Sequence, residues 1–249
     1  MEIKTGKKVV EVEIEALKML KKRISKDFSD VVNLLFLCKG KIVISGIGKS
    51  GHIASKIAST LSSIGSPSFY IHPSEANHGD LGMLEKKDCI ILISNSGETS
   101  ELINLILHCK KLKIPIVTIT SEPKSTLAKE SKFTLLIPKN IEACPLELAP
   151  TSSTTCTLAL GDAIAVTLLK KRGFTENDFK ALHPGGKLGQ FLSQVSDVMK
   201  KDEALPLIHE NKRMSHAILE MTSKGEGCVG VISKKGELIG ITTAIATAD

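Results

Sequence analysis

Two clusters of small polar residues each follow an apolar run of the kind that forms a buried strand. The first, "GIGKSG" at residues 46–51, follows "KIVIS", and the second, "SNSGET" at residues 94–99, follows "CIILI". Each cluster leads into a segment with helical periodicity, and the first turn of a helix offers unpaired amides and a partial positive charge. Glycines let the backbone approach a ligand closely, so the clusters indicate two phosphate-binding loops.

The candidate ligands in these loops carry a backbone amide, a hydroxyl or a side-chain amide: Gly48, Ser50, Ser94, Asn95, Ser96 and Thr99. A nucleotide site is one alternative, but the third glycine of "GIGKSG" comes one residue too early for GxGxxG. The four-residue gap that precedes GK in a P-loop is also missing. A capped turn without a ligand is the other alternative. Two such loops in equivalent positions favour ligand binding over capping.

The elements that would position these loops are five short apolar segments that alternate with helical patterns. The segments are "KIVIS", "SFYIH", "DCIILIS", "IPIVTIT" and "FTLLIP". Strands that are apolar on both faces and alternate with helices are typical of a parallel sheet covered on both sides. The sequence therefore predicts an α/β fold, a doubly wound parallel sheet of about five strands flanked by helices. Ligands of such sheets bind beyond the carboxyl ends of the strands, where both clusters fall.

Helical patterns flank the predicted sheet on both sides in the sequence. Residues 9–38 predict two helices, and a long helix is expected from about Thr151 to Lys171, with Thr151, Ser152 and Ser153 as candidate N-caps. The character changes near Gln194, after which a helix and a hairpin with "KKGE" as its turn are expected. We therefore expect two domains, residues 1–193 and residues 194–249.

Composition excludes several classes of protein. The net charge is +6 and the pI about 8.9, but the basic residues fall in separate short groups, and the chain has one tyrosine and no tryptophan. We expect no nucleic-acid partner, whereas a mildly positive field suits a small anionic substrate. No apolar run reaches the roughly 20 residues that span a bilayer, and the N-terminus does not resemble a signal peptide. We expect a soluble protein without a membrane partner.

The six cysteines are widely spaced and never form CxxC, which argues against a zinc ribbon or a disulfide framework. We expect each to be a small buried hydrophobic residue in a reducing cytoplasm. Cys144, beside Pro145 in a polar segment, is the one that suggests another role.

Four longer motifs together resemble the arabinose-5-phosphate isomerase family, whose members carry a sugar isomerase (SIS) domain. They are "GKSGHI", "HPSEANHGDLGM", "EACPLELAPTSSTT" and "HPGGKLG", and the resemblance extends from about residue 10 to residue 240. It implies interconversion of D-ribulose 5-phosphate and D-arabinose 5-phosphate through an enediol(ate), as the entry to Kdo and lipopolysaccharide synthesis. It also implies a homodimer or homotetramer with sites near subunit contacts. No cofactor or metal is expected.

The resemblance assigns catalytic roles to Lys49, Glu101, Glu142 and His183. Glu142 is the first candidate for the base that moves the proton between C1 and C2, with Glu101 as the other candidate. His183 would open the sugar ring or move a proton between O1 and O2, since an imidazole titrates near neutral pH. Lys49 would neutralise developing charge or hold the phosphate, and His78 is a further candidate for the substrate pocket.

Each assignment has a purely structural alternative. An acidic residue such as Glu101 is favourable near a helix N-terminus through the helix dipole alone. Lys49 could be a solvated loop lysine, His183 could shape a turn before Pro184, and His78 could cap a helix or hydrogen-bond within the fold. The other five histidines are expected to be structural or on the surface.

The segment from Val195 onward resembles the first of the two CBS repeats that usually follow this SIS domain. Its hairpin "GVISKKGELIGIT" fits, but residues 243–249 read "TAIATAD" where the family has Thr-Asp-Gly-Asp-Leu. We therefore expect a truncated single repeat, which lacks the acidic residues that commonly hold a nucleotide ribose in such modules. The alternatives to the isomerase are a noncatalytic phosphosugar-binding SIS sensor and an isomerase for a different phosphosugar.

Overall fold

The apolar runs of residues 42–136 form one parallel sheet in a computed structural model that describes residues 1–183 and 194–243. The strands are β1 (Ile42–Gly46), β2 (Ser68–Ile71), β3 (Cys89–Ile93), β4 (Ile116–Thr120) and β5 (Phe133–Leu136). Their order is β2-β1-β3-β4-β5, and every neighbouring pair is parallel. The strand order reverses between β1 and β3, which is the switch point where such sheets bind ligands.

Helices cover both faces of this sheet, as the sequence predicts. The helices of this unit are α1 (Glu2–Arg23), α2 (Lys26–Phe36), α3 (Gly48–Ser63), α4 (Pro73–Ala76), α5 (Ile103–Leu112), α6 (Thr126–Glu130), α7 (Ser152–Arg172) and α8 (Glu176–Leu182). Alternate strand residues face opposite layers, so that Ile44 packs with α1, α2, α3 and α7, whereas Val43 packs with α5 and α6. The predicted doubly wound fold is confirmed.

Helix α7 is long and apolar enough to cross a membrane by length and composition. Its apolar residues are instead core residues, because Leu160, Ile164 and Leu168 are buried against the sheet layer. Gly161 on the same helix lies directly against Ile57 of α3, where no Cβ would fit. The helix therefore serves as a packing element of the domain core.

The cysteines only partly follow the expectation. Cys89, Cys109 and Cys156 are buried, whereas Cys38, Cys144 and Cys228 are partly exposed, and all six are free thiols. Cys38 lies in the turn between α2 and β1, and its Sγ is 3.4 Å from the carbonyl oxygen of Lys87. The prediction of a buried residue is therefore wrong for Cys38 and Cys228, whereas Cys144 is the cysteine for which another role was considered.

The chain divides into two compact units, Met1–Leu192 and Ser193–Asp249. The described part of the second contains α9 (Val195–Val198), β6 (Leu207–His209), α10 (Met214–Lys224), β7 (Cys228–Ile232) and β8 (Leu238–Thr243). The predicted helix and hairpin are present, and β6 adds a parallel strand beside β7. The buried apolar cluster of this unit consists of Ala217, Met221 and Val229.

Candidate active site

The two predicted phosphate loops follow neighbouring strands of the sheet. Gly46 at the end of β1 pairs with Ile93 at the end of β3, so the segments that follow them leave the sheet side by side. Helix α3 already begins at Gly48, which has a φ of 58°, and Lys49 and Ser50 therefore lie in its first turn. Lys49 is exposed at this end of the helix, and Ser50 is half-buried.

The loop after β3 is held together by its own hydroxyls. Ser94 is buried, and its Oγ lies 2.7 Å from Thr99 Oγ1 and accepts a 3.0 Å hydrogen bond from the amide of Gly97. Ser96 Oγ accepts a hydrogen bond from the amide of Glu98 at 3.3 Å. Ser94 and Thr99 therefore shape the loop, while Asn95 and Ser96 line a cavity beside it.

This cavity has a volume of about 270 Å³ and lies beyond the carboxyl ends of β3, β4 and β5. Its lining is mostly polar and charged, and consists of Asn95, Ser96, Ser121, Glu122, Pro138, Lys139, Asn140, Ile141, Glu142, Glu147 and Ser153. The structure thus brings Glu142, one of the four residues assigned to catalysis, onto the same cavity as two residues of the second phosphate loop.

Glu142 is anchored at the N-terminus of α7. Its Oε2 accepts hydrogen bonds from the amide of Thr151 at 2.7 Å, from Thr151 Oγ1 at 2.9 Å and from the amide of Ser153 at 3.3 Å. These three hydrogen bonds all go to Oε2, and the side chain of Ser153 also interacts with the carboxylate. Partial burial acts to raise the pKa of Glu142, but the hydrogen bonds from Ser153 and Thr151 outweigh it and leave the pKa below its usual value. Glu142 is therefore an ionised carboxylate that is anchored through its Oε2.

His183 ends α8 and is oriented by Phe179 of the same helix. Its ring stacks on that of Phe179 with 3.8 Å between ring centroids, and its Nδ1 lies 2.8 Å from the carbonyl oxygen of Phe179. Because a carbonyl only accepts, Nδ1 must carry a proton, which leaves Nε2 as the atom that can gain or lose one. The rest of the "HPGG" motif lies outside the described residues.

The remaining predicted residues do not line the cavity that contains Glu142. Glu101 is exposed on the 3-10 turn before α5, where its Oε2 accepts a 3.0 Å hydrogen bond from Ser100 Oγ. His78 is exposed just after α4. Lys49 and His183 are also outside the lining.

Of the histidines expected to be structural, His72 caps α4, because its Nδ1 accepts a hydrogen bond from the amide of Ser74.

Several cavity residues were missed by the sequence reasoning, among them Ser121, Glu122, Lys139, Asn140 and Glu147. All of them lie in the segments that follow β4 and β5. The signal for them is their place beyond the carboxyl ends of β4 and β5, where ligands of such sheets bind. Within the described residues, no cluster of three or more His, Cys, Asp or Glu side chains could hold a metal ion.

Comparison with known proteins gives the same fold and a family. Residues 35–167 match the model of the SIS domain. Arabinose 5-phosphate isomerase KdsD of Pseudomonas aeruginosa is 46% identical over 242 residues, which cover 97% of this chain and 74% of the relative. The enzyme of the same name from Escherichia coli K12 is 46% identical over 239 residues, covering 96% of this chain and 73% of that protein.

A solved structure extends the comparison to three dimensions. A protein of Escherichia coli CFT073 in complex with arabinose 5-phosphate is 41% identical, with a TM-score of 0.71, over 73% of this chain and 97% of that one. The sequence motifs, the parallel sheet with its polar loops and these similarities agree. The chain therefore belongs to the SIS-domain family and, within it, to the arabinose 5-phosphate isomerase family.

Proposed function

We propose that this protein interconverts D-arabinose 5-phosphate and D-ribulose 5-phosphate through an enediol(ate) intermediate. Relatives with 46% identity over about three quarters of their length bear the name of this activity, and a structural relative with 41% identity is seen with arabinose 5-phosphate. The observation that carries the proposal is the Glu142 carboxylate, which lies in a polar cavity together with Asn95 and Ser96 and is anchored through its Oε2.

We assign the phosphate to the switch point between β1 and β3. The amides at the start of α3, with Gly48 and Ser50, and the loop of Asn95 and Ser96 surround this point. Ser94 and Thr99 support the binding loop from within, because their hydroxyls are hydrogen-bonded to each other. Lys49 in the first turn of α3 would add a positive charge for the phosphate or for the oxyanion of the intermediate.

Glu142 is the proposed base. Starting from the open aldose, its Oε1 takes the proton from C2, the electron pair of the C–H bond forms the C1–C2 double bond, and O1 becomes the oxyanion. A proton then passes from O2 to O1, and Glu142 returns its proton to C1 to give the ketose. No atom is gained or lost. The lowered pKa of Glu142 keeps it ionised and ready to accept a proton across the neutral range.

His183 is proposed to handle the oxygen-bound protons. Nε2 of His183 is available because Nδ1 is committed to Phe179, and an imidazole can both donate and accept a proton near neutral pH. It would open the furanose ring of the aldose or move the proton between O2 and O1. Glu101 would orient Lys49 or replace Glu142 as the base. His78 is proposed to contact the sugar.

We further propose that the protein acts as a homodimer or homotetramer. Lys49, Glu101, His78 and His183 lie outside the lining of the single-chain cavity, as expected for sites completed near a subunit contact. Apolar side chains on α5, among them Ile103 and Leu107, are about half exposed and could pack against another subunit. The six free thiols fit a cytoplasmic location. We also propose that the arabinose 5-phosphate formed enters Kdo and lipopolysaccharide synthesis.

Residues 194–249 remain proposed to be a partial CBS-like repeat. The helix, the hairpin and the three-stranded sheet of the described part support this assignment. The departure from the family pattern falls almost entirely on residues 244–249, which lie outside the described residues.

The test is product analysis by NMR after D-ribulose 5-phosphate is mixed with the protein in D2O. Arabinose 5-phosphate with deuterium at C2 is expected, and Glu142→Gln should abolish its formation. Glu130→Gln is the matched control, because Glu130 is a carboxyl on α6 outside the cavity, paired with Lys110. A folded wild type without turnover contradicts the proposal. In that case, stabilisation by arabinose 5-phosphate would indicate a phosphosugar sensor, and turnover of another phosphosugar would indicate a different isomerase.

A further inference from the structure

Thr151 makes two contacts with Glu142 and a third with the residue that follows Glu142. Its amide donates to Glu142 Oε2 at 2.7 Å, its Oγ1 lies 2.9 Å from the same oxygen, and the amide of Ala143 donates to Thr151 Oγ1 at 2.8 Å. The hydroxyl thus bridges the side chain of Glu142 and the backbone just beyond it. The direction of the hydroxyl hydrogen is fixed. Oγ1 accepts a hydrogen bond from the amide of Ala143, and its single hydrogen is donated to the carboxylate of Glu142.

This arrangement differs from ordinary helix capping. Thr151 occupies the N-cap position of α7, where a threonine hydroxyl usually accepts a hydrogen bond from an amide of the first turn. Here the Thr151 side chain makes no such bond. The carboxylate of Glu142 accepts the amide of Ser153 instead, at 3.3 Å. The cap of α7 is therefore supplied by Glu142, and the Thr151 hydroxyl is released to hold the carboxylate.

We propose that Thr151 is a positioning residue, whose hydroxyl fixes Oε2 of Glu142 so that Oε1 is presented to the substrate as the base. This inference rests on the role of Glu142 in the proposed function. A single hydroxyl has this effect because hydrogen bonds to a charged group are about twice as strong as neutral ones and define its orientation. A base misplaced by about 1 Å can cost roughly 100-fold in rate.

The charges around Glu142 set the background for a test by pH. The other titratable side chains of the cavity are Glu122, Lys139 and Glu147, and Lys139 is paired with Glu122. Cys156 of α7 stays neutral, because burial and the charges of Glu142 and Glu13 raise its pKa to about 11, against an opposing effect of Arg23. The hydrogen bonds to Glu142 itself come from Thr151 and Ser153, neither of which titrates.

The experiment compares Thr151→Val, which removes the hydroxyl at nearly constant shape, with Thr151→Ser, which keeps it. The control is Thr157→Val, because Thr157 is a buried threonine on the same helix whose Oγ1 donates to the carbonyl oxygen of Ser153 and does not touch Glu142. Two readouts are used: the pH profile of kcat/KM for arabinose 5-phosphate, and the titration of the Glu142 side-chain carboxyl by carbon-13 NMR.

Thr151→Val should lower kcat by about tenfold or more, as expected when a hydrogen bond to a charged group is lost. It should also move the acid limb of kcat/KM and the NMR titration of Glu142 to higher pH. Thr151→Ser should restore both, and Thr157→Val should leave both unchanged. If Thr151→Val does not fold, Thr151→Ala removes the same hydroxyl without adding a methyl group, and the same titration is read on it.

Three results would overturn the inference. The first is that Thr151→Val or Thr151→Ala has the same kcat and the same Glu142 titration as the wild type. The second is that Thr151→Ser shows the same losses as Thr151→Val. The third is full activity of Glu142→Gln, which would remove the base that Thr151 is said to position. If the wild type does not turn over the sugar, the proposed function fails by itself, whereas the NMR titration still decides whether Thr151 holds the carboxylate.

Discussion

Gly97 in the loop after β3 lies directly against Ser125, the N-cap residue of α6. A Cβ on Gly97 would overlap the Ser125 side chain, and Gly97 has a φ of 67°, a conformation that disfavours any other residue. The amide of Leu127 also donates to the Gly97 carbonyl oxygen at 3.1 Å. The loop that carries Asn95 and Ser96 is thus fixed in place by the start of α6.

Gly97→Ala should therefore move the loop and lower kcat/KM by roughly 100-fold, in line with the effect of small displacements on catalysis. The matched control is Gly173→Ala, because Gly173 has a φ of 66° but open space where its Cβ would be. The control should lose about 1 kcal/mol of stability from backbone strain and keep its activity. Thermal unfolding and steady-state kinetics check this, and equal kinetics for the two variants would contradict it.

Cys38 and Cys144, whose pKa values are both lowered, should be the thiols most readily alkylated near neutral pH. The hydrogen bond from the neighbouring Cys89 lowers the pKa of Cys38 to about 7, whereas burial raises the pKa of Cys109 to about 12. The thiolate is the reactive form, so the rate with iodoacetamide should rise as the pH passes through about 7 and then level off. Mass spectrometry of the labelled peptides measures this rate.

Cys89→Ser is the informative variant for this prediction, because it replaces the neighbouring thiol while keeping a small side chain. We expect the pH profile of Cys38 to change in position while Cys109 stays unreactive. A Cys38 rate in the wild type that still climbs steeply above about pH 9 would mean that the thiol is unperturbed.

Two fully buried serines should respond oppositely to replacement by alanine. Ser152 Oγ has no hydrogen-bond partner within the described residues, whereas Ser45 Oγ donates to the carbonyl oxygen of Ile71 at 2.7 Å. Burying an unpaired hydroxyl costs about 1–3 kcal/mol, so Ser152→Ala should be neutral or raise the free energy of unfolding. Ser45→Ala should lower it by about 1 kcal/mol. Denaturant unfolding compares the two, and a marked loss of stability in Ser152→Ala would reveal a partner for that hydroxyl.

Most of the sheet could be predicted from the sequence, because its strands are continuous apolar runs such as Cys89–Ile93 with helices between them. The elements that were missed have little periodicity. The strand Leu207–His209 has only three residues. The first helix begins at Glu2, but its first residues are exposed and therefore carry no apolar pattern that would mark its start. Short or solvated elements are specified by tertiary contacts that a local pattern does not contain.

The residue types of the candidate site could be predicted from the sequence, but the hydrogen bonds between them and the full lining of the cavity could not. The sequence singled out Thr151 as a candidate N-cap, and it does lie at that position, but its hydroxyl is directed to Glu142. Capping rules describe neighbours within a turn, whereas Glu142 reaches α7 from the preceding loop. The contribution of Lys139 and Asn140 to the cavity also depends on which strands are adjacent, and periodicity does not reveal that.

The strand order has a consequence for how the chain folds. No two neighbouring strands of the large sheet are joined by a hairpin, and Ile42 of β1 pairs with Cys89 of β3, with α3, β2 and α4 between them in the sequence. Such distant pairings form only after long loops have closed, so folding should be slow for a domain of this size. Until β1 has docked, the apolar strand β3 is an unpaired edge that can associate with other chains, and refolding yield should therefore fall as protein concentration rises.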